Sequence, residues 1–519
     1  MQNTILIHAP GRRQGRGALV LAYTALFALL MGIWAAIFAL NGQSFIQYGD
    51  TLKQHYPFLV YYGRWLRQAA RCVLTGAAVP TWDFSIGYGA DIITTLSYYG
   101  LGDPLDLLAA FVPGRWTEQL LEGLIVLRLY LAGLAFMAFS RRHGNSRFGT
   151  LLGALAYVFS AWPIQAGLIE PVFLVPIYCF PLMLLGADDL FEGRSPVLYI
   201  AAIALTALSN FLFFYMAAVL LVLYAIAVYS KRYGAKNLRT LPPLLAKFIG
   251  FALVGIAISA ITLLPTAQEL FGSARFGLTR ETAPYPFYRF FELLANMTTG
   301  MGYDAYSTYA GVTSAAFLGV LVLFAKPRQN TVLKCAWLGL LALLLVPQAG
   351  SMLNGISYVS NRWVWAFTML EAFILARVCP GITAFEPKEK RSLFALLAVY
   401  CVVAFCVKQG RTETALLGAL LLVLLAVFVL AADGISRRGV QAVLLAGCCL
   451  GVVMNLGGYY GIEEADAVNE YRPAGYAWST TVQDNPAVAL HLMEDQSYWR
   501  YDSLVNEPIN SPMLLDVYG

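Results

Sequence analysis

The residues best suited to chemistry follow the first long apolar stretch of the chain. Residues 48–55 read YGDTLKQH, which places the carboxylate of Asp50 beside a predicted membrane surface. An acid so close to hydrocarbon is unfavourable unless something uses or compensates its charge. Because a carboxylate within hydrogen-bond reach of a hydroxyl can take its proton, we assign Asp50 as a candidate catalytic base. The alternative is a helix cap.

Three neighbours of Asp50 can bind the same ligand. Gln54 lies one helical turn after Asp50, so its amide can hydrogen-bond the ligand or orient the carboxylate. Lys53 can pair with Asp50 or with a phosphate. His55 can assist at the site, although a histidine without metal-ligand neighbours is more often incidental. We therefore predict Lys53, Gln54 and His55 as substrate-binding residues.

Two further side chains fall at helix ends on the face of the membrane that carries Asp50. Glu170 lies at the tip between the third and fourth predicted helices, where it can act as a second catalytic acid or orient an acceptor or a metal. It can also simply cap a turn. Arg362 opens the tenth predicted helix. Its planar guanidinium suits phosphate oxygens, so we predict that it binds substrate, the alternative being a lipid headgroup.

Two charges fall inside predicted membrane spans, where ionisable residues are rare. Arg128 lies in the second predicted helix and Glu371 in the tenth. We expect the two to pair with each other. Arg128 is also a candidate for binding the phosphate of a lipid substrate, but a buried ion pair that holds two helices in register is at least as well supported.

Membrane helices must position these residues. Of all residues, 59% are hydrophobic and 13% are charged, against about 25% charged in a typical soluble domain. Apolar runs long enough to cross a bilayer as a helix recur along the chain, so we predict an all-α polytopic membrane protein with about 13 transmembrane helices. The predicted spans are 18–40, 119–139, 148–167, 171–187, 196–212, 213–229, 244–267, 309–325, 335–350, 361–378, 391–407, 414–432 and 440–458.

Clusters of Lys and Arg set the predicted orientation, because basic residues near helix ends are retained in the cytoplasm. They place residues 1–17 inside as a cytoplasmic N-terminus. The transmembrane domain then covers 18–458, with a long first outer loop at 41–118 and a second at 268–308. Residues 459–519 are polar and are predicted to begin a larger extracytoplasmic domain.

Several functions have no support in the sequence. There is no nucleic-acid-binding module, Walker loop or dinucleotide fingerprint. The eight cysteines show neither zinc-ligand nor redox spacing. We predict no cofactor and no dedicated metal site, the alternative being a divalent metal at the outer acids. Net charge of +5 reflects topology and contact with anionic membrane lipid.

Short motifs with a common pattern are spread over most of the chain. They include Gly49-Asp50-Thr51 with Gln54, Trp82-Asp83-Phe84, Gly87-Tyr88-Gly89, Tyr98-Tyr99, Asp103-Pro104-Leu105, Tyr157-Val158-Phe159-Ser160 with Glu170, and Ser360-Asn361-Arg362-Trp363. This set resembles the YfhO family of bacterial membrane proteins. That family resembles the GT-C glycosyltransferases, which carry an acidic residue in the first outer loop, at the place that Asp50 occupies.

The resemblance implies a multi-pass enzyme of the bacterial plasma membrane. It would take a sugar from a polyprenyl-phosphate carrier and attach it to a cell-envelope acceptor, such as a teichoic-acid-type polymer. The family also implies a longer outer domain than residues 459–519, so this chain resembles a short or truncated member.

Two other functions compete with glycosyl transfer. A transporter of lipid-linked saccharide or polymer would use Asp50 as a gate or ion site, but such proteins often show internal repeats, and no clear repeat is present. The predicted outer acids also cluster at one membrane face. The third alternative is a non-catalytic subunit of cell-envelope assembly.

Overall fold

The chain is almost entirely helical in the part that can be described. A computed structural model describes residues 16–234, 238–272, 284–299, 308–407, 412–461, 466–485 and 510–517, with residues 488, 494, 497 and 500. Most of the predicted N-terminal segment, the middle of the predicted second outer loop and much of the chain after 485 lie outside the described residues.

Twenty-one α-helices are numbered here in chain order. They are α1 Arg16–Leu40, α2 Tyr56–Thr75, α3 Ile92–Leu96, α4 Thr117–Arg142, α5 Arg147–Val158, α6 Gly167–Ile169, α7 Val175–Phe191, α8 Val197–Ser209, α9 Phe211–Tyr233, α10 Leu241–Ile258, α11 Ala260–Gly272, α12 Tyr288–Ala295, α13 Ser314–Ala325, α14 Thr331–Leu344, α15 Pro347–Leu353, α16 Trp365–Val378, α17 Pro387–Cys406, α18 Thr412–Leu430, α19 Arg437–Tyr460, α20 Tyr476–Trp478 and α21 Ser511–Leu515. Two short strands, β1 Trp82–Asp83 and β2 Ala90–Asp91, pair antiparallel.

Helix occurs at each of the thirteen places where the apolar runs predict it. Among the described residues, however, eight helical segments are long and apolar enough to cross a membrane, or nine if the pair α14 and α15, bent by 93°, forms one broken span. The helices from α13 to α17 include several that are too short or too charged to qualify. The count of about 13 therefore stays a prediction.

Short polar side chains start several helices, as the physical chemistry of helix ends requires. The side chain of Asn210 accepts a hydrogen bond from the backbone N–H of Phe213 at 3.0 Å and so begins α9. Ser146 does the same for α5 through Gly149, also at 3.0 Å. The predicted tip at Glu170 is confirmed as a break between helices, and a second break occurs at Asn210, between α8 and α9.

The bundle is organised around tightly packed helix pairs. Helix α7 packs against α4 and α8, while α16 packs between α5 and α13. Gly153 shows how close the second group is: a Cβ at this position would lie 2.7 Å from the backbone oxygen of Ala372. Small residues at such contacts let two helix backbones approach closely.

The first loop folds as a compact layer at one end of the bundle. Helix α2 buries its first eight residues, Tyr56 to Gly63, and exposes much of its second half. Arg67 on this helix donates hydrogen bonds to the backbone oxygens of Ala109, Ala110 and Val112, at 3.2 to 3.3 Å. The Arg67 side chain therefore connects α2 to the backbone of a later part of the same loop.

The polar segment after α19 packs onto this first loop. Gln47 and Tyr471 form an antiparallel bridge, and the backbone N–H of Tyr48 donates to Glu470 O at 2.7 Å. Farther along, Arg64 of α2 pairs with Asp516 at 3.2 Å. The described parts of 459–519 thus share a core with the first loop.

The predicted pairing of Arg128 with Glu371 is wrong. Arg128 on α4 pairs with Asp103 at 2.9 Å and with Asp106 at 2.7 Å, two acids of the first loop. Glu371 accepts a hydrogen bond from the indole of Trp337 at 3.0 Å. The spacing of charges along two helices does not reveal which helix faces are neighbours, and loop acids entering the bundle supply the nearer partners.

Candidate active site

Asp50 stands immediately before a single π-helical turn, Thr51–His55, that leads into α2. Its carboxylate makes no capping hydrogen bond to this turn, so the helix-cap alternative is not supported. It accepts a hydrogen bond from the amide nitrogen of Gln54 instead. The predicted contact between these two residues is therefore present.

The turn is fixed against the end of another helix. The hydroxyl of Thr51 lies within hydrogen-bond distance of two backbone oxygens, those of Leu168 at 2.6 Å and Ile169 at 2.7 Å. These are the last residues of α6 before Glu170. This contact brings Asp50 and Glu170 together, although they are far apart in the sequence.

Glu170 is bound by the histidine that follows Gln54. The His55 Nε2 atom lies 2.6 Å from Glu170 Oε2, and the His55 side chain is 4% exposed against 14% for Glu170. The carboxylate of Glu170 makes no capping hydrogen bond to the following turn, Pro171–Leu174. A turn cap is thus not its role in this structure.

Asp50 and Glu170 are in hydrogen-bond contact with each other, and their environments differ. Burial raises the pKa of Asp50, and the charge of Glu170 and the hydrogen bond between the two acids raise it further. Burial also raises the pKa of Glu170, but the hydrogen bond and charge of His55, the contact with Asp50 and the charge of Arg362 together hold it below its usual range. One proton shared by two close carboxyl groups produces such a separation.

Arg362 lies near this acid pair on an aromatic support. Its guanidinium carbon is 5.0 Å from the ring centroid of Phe173 and 5.6 Å from that of Tyr358. No salt bridge to Arg362 occurs among the described residues. A stacked guanidinium near an acid pair, with no carboxylate in bonding contact, is able to bind a phosphate bidentately.

Lys53 points elsewhere. Its ammonium lies 4.3 Å from the ring centroid of Tyr48, which also contacts the guanidinium of Arg472 at 4.1 Å. The predicted option of a Lys53–Asp50 pair is therefore not realised, while the phosphate option stays a prediction. Arg128 is 2% exposed and already bound to two carboxylates, so the structure gives no support to its predicted role in binding substrate.

Residue-by-residue reasoning did not assign a role to Tyr98 or Tyr99, which border the site. The hydroxyl of Tyr99 donates to Gln54 Oε1 at 2.7 Å, and the rings of Tyr98 and Tyr99 are 5.3 Å apart, edge to face. Their signal in the sequence was the Tyr98-Tyr99 motif itself. Within the described part of the chain, no group of three or more His, Cys, Asp or Glu side chains is arranged to hold a metal ion.

Comparison with known proteins places the chain in a family. A family model described as bacterial membrane protein YfhO matches residues 22–519. No curated protein matches. The chain resembles the crystal structure of ArnT from Cupriavidus metallidurans bound to undecaprenyl phosphate, with 14% identity, a TM-score of 0.45, and coverage of 98% of this chain and 86% of that one.

The structure of the same ArnT in the apo state gives 12% identity and a TM-score of 0.45, covering 97% of this chain and 86% of that chain. Similarity at this level does not transfer a ligand or an activity to this protein. The match of the family model over almost the whole sequence is sufficient by itself to assign the family. The chain belongs to the YfhO family of bacterial membrane proteins.

Proposed function

We propose that this protein is a membrane glycosyltransferase that moves a sugar from a polyprenyl-phosphate carrier to an acceptor outside the cytoplasm. The observation that carries the proposal is the Asp50–Glu170 acid pair, in contact with His55 and Gln54 and close to Arg362. This arrangement combines a proton acceptor with a cation suited to phosphate. Both are needed for sugar transfer from a lipid phosphate.

Asp50 is the proposed general base. The acceptor hydroxyl attacks the anomeric carbon of the sugar, a new carbon–oxygen bond forms, and the proton of that hydroxyl passes to Asp50. A carboxylate whose pKa is raised toward neutrality is a stronger proton acceptor than an ordinary one. Burial and the neighbouring Glu170 provide that change.

Glu170 is proposed to stay ionised beside Asp50. Its contact with His55 and the charge of Arg362 hold its pKa low, so the shared proton resides preferentially on Asp50 before a reaction cycle. Loss of that proton to solvent prepares Asp50 to act. In this scheme Glu170 touches the acceptor and orients its hydroxyl, and His55 and Gln54 hold the two carboxylates.

Arg362 is proposed to bind the leaving group. As the bond from the anomeric carbon to the phosphate oxygen breaks, its electron pair leaves with the phosphate, and negative charge grows there. A guanidinium supported by Phe173 and Tyr358 offers two parallel N–H donors to such oxygens. Lys53 is proposed as a second, more distant phosphate contact.

The acceptor and the location are further parts of the proposal. Family resemblance favours a cell-envelope polymer of teichoic-acid type, reached from the outer face of the bacterial plasma membrane. The basic clusters of the sequence predict that the first loop lies on that face. Of the two alternatives from the sequence, an assembly subunit does not require an acid pair of this kind, and a transporter would use it as a gate or ion site without transferring sugar.

The change Asp50→Asn tests the assignment. General-base catalysis contributes about 100- to 10,000-fold to a rate, so transfer should fall at least about 100-fold. The measurement follows radiolabelled sugar from polyprenyl-phosphate donors into envelope polymer in membranes that contain the wild type or the variant. Expression is compared by immunoblot.

Asp91→Asn is the matched control. Asp91 is an acid of the same loop, but its carboxylate accepts a hydrogen bond from the backbone N–H of Thr94 at 2.8 Å and starts α3. Because asparagine is an equally good helix cap, this variant should transfer sugar normally. Normal transfer by the Asp50→Asn variant would eliminate the catalytic assignment.

A further inference from the structure

Tyr99 contacts one neighbour of each acid of the pair: Gln54, which binds Asp50, and His55, which binds Glu170. Its hydroxyl donates to Gln54 Oε1 at 2.7 Å, and the amide nitrogen of Gln54 donates to Asp50. The Tyr99 ring also meets the ring of His55 edge to face, at 5.4 Å and 76°, and His55 holds Glu170.

The hydrogen bond from Tyr99 to Gln54 determines the orientation of the Gln54 amide. A glutamine side chain has one acceptor end and one donor end. Burial, together with the charges of Glu170 and Asp50, raises the pKa of Tyr99 to about 12, so its hydroxyl stays protonated and donates. With Oε1 bound by Tyr99, the NH₂ end of Gln54 must point toward Asp50.

We propose that Tyr99 is a positioning residue that locks the amide of Gln54 in the orientation that donates to Asp50. This inference rests on the proposed function only for its catalytic consequence. The orientation of Gln54 is a structural property that can be measured without any transfer reaction. The reverse orientation would turn a carbonyl oxygen toward the carboxylate and remove its only amide donor.

The backbone on both sides of Tyr99 is fixed by contacts with the rest of the protein. Tyr98 O accepts a hydrogen bond from the buried Asn210 side chain at 2.6 Å, which ties the loop to the start of α9. The next residue, Gly100, has a φ of 101°, and a Cβ there would lie 2.6 Å from Asp106 Oδ2. The loop backbone thus lies directly on the buried cluster of Arg128, with no space for a side chain.

The aromatic neighbours of Tyr99 support the same role. Its ring stacks on Phe58 of α2, with ring centroids 5.8 Å apart and planes 29° apart. Phe58 stacks in turn on Tyr62, at 5.3 Å and 15°. A phenol held on three sides by rings and backbone loses little conformational freedom when it binds the amide.

The expected effect follows from the groups around Asp50. Glu170 raises its pKa, whereas His55 and the donor from Gln54 lower it. Arg362 acts on Glu170, and the ammonium of Lys53 lies against Tyr48. When the amide is free to rotate, Asp50 loses one of the two neighbours that stabilise its ionised form. The pKa of Asp50 should therefore rise.

The experiment compares Tyr99→Phe with Tyr62→Phe. Tyr62 is the matched control because its hydroxyl bonds Leu101 O in the same loop without touching the acid pair. The main readout is the infrared carboxyl band of purified protein, titrated with pH and assigned to Asp50 by its loss in Asp50→Asn. The Tyr99→Phe midpoint should rise by about one pH unit, and that of Tyr62→Phe should not move.

A double-mutant cycle with Gln54→Ala decides whether Tyr99 acts through the amide. In that background Tyr99→Phe should cause no further shift. A full additional shift would mean that Tyr99 acts on Asp50 directly, and an unchanged midpoint in the single variant would mean that it does not act at all. Either result overturns the inference.

Activity serves as an independent second readout. The acidic limb of the pH–rate profile should move to higher pH in Tyr99→Phe, in parallel with the infrared midpoint. If Asp50→Asn transfers sugar normally while the infrared midpoint still moves, the proposed function fails and the positioning role stands. If Asp50→Asn abolishes transfer and the midpoint does not move, the reverse holds.

Discussion

The two carboxyl groups at the candidate site are distinguished by their neighbours. Asp50 accepts a hydrogen bond from an amide, and its pKa is raised. Glu170 is bound by His55 and lies near a guanidinium, and its pKa is lowered. Pairs of acids whose environments separate their pKa values commonly divide the work of proton transfer. The proposed roles, Asp50 as base and Glu170 as orienting group, are based on this difference.

The pH dependence of Glu170→Gln tests the division. Asp50 must be deprotonated to act, so the rate falls as pH drops through its pKa. Because the charge of Glu170 raises that pKa, its removal should move the acidic limb of the pH–rate profile to lower pH, even if the maximal rate also falls. Sugar transfer measured over a pH series, with Asp91→Asn as control, checks this. A limb that stays in place would contradict the coupling of the two acids.

At this scale the sequence predicts the residue types better than their contacts. Asp50 with Gln54 could be predicted because both lie within one turn. The contact of Asp50 with Glu170 depends on Thr51 binding two carbonyl oxygens at the end of α6, which no local pattern reveals. Arg128 was given the wrong partner for the same reason, since its acids come from a distant loop.

At the scale of elements, the buried cluster of Arg128 connects the bundle to the first loop. Asp103 and Asp106 of the first loop pair with Arg128 of α4. Tyr178 of α7 donates a hydrogen bond to Asp103 at 3.1 to 3.2 Å. Gly100 lies directly against Asp106, so this cluster also supports the loop that carries Tyr99. A structural ion cluster thus contributes to the site without touching a substrate.

Replacing Arg128 should destabilise the protein strongly. Removing one partner of a buried ion pair costs about 3–5 kcal/mol, because it leaves uncompensated charge. Arg128→Met should therefore lower the Tm in detergent far more than Arg71→Met, which replaces an exposed arginine of α2 and should change stability by less than about 0.5 kcal/mol. Equal Tm values for the two variants would show that the cluster is not needed for stability.

The contact of the first loop with the segment after α19 constrains the number of membrane crossings. Residues 44–48 and 470–472 are hydrogen-bonded to each other, so they lie on one face, and an even number of crossings must separate them. Seven of the eight candidate spans found in the described residues lie between them. If all seven cross, at least one further segment must cross as well. Counting the bent α14–α15 pair gives eight crossings between these residues, and the prediction of about 13 spans, without the first, gives about twelve.

At the scale of the whole molecule, the orientation in the membrane can be measured directly. Single cysteines are placed at the exposed positions Thr75, Asn469 and Arg232, in a variant without the eight native cysteines. Because basic residues stay inside, a membrane-impermeant maleimide should label Thr75→Cys and Asn469→Cys in intact cells. Arg232→Cys should react only after permeabilisation. Labelling of Arg232→Cys in intact cells would reverse the predicted orientation.

The all-α membrane fold class could be predicted from the composition, because apolar runs of this length are rare outside membrane-spanning helices. The positions of α1, α4, α9 and α19 could be predicted closely, since each is a long uninterrupted run. The relation between the segment after α19 and the first loop could not. A short antiparallel bridge between Gln47 and Tyr471 has no periodic pattern that would reveal it in the sequence.

That bridge also sets an order of events during biosynthesis. Ser44 binds the backbone oxygen of Arg472, a residue 428 positions later in the chain. The ribosome must therefore make, and the membrane must accept, nearly every helix before the closing segment exists. A chain released early would carry Asp50 and His55 and still lack the contact that completes their loop. The first loop is thus among the last parts of the nascent protein to be completed.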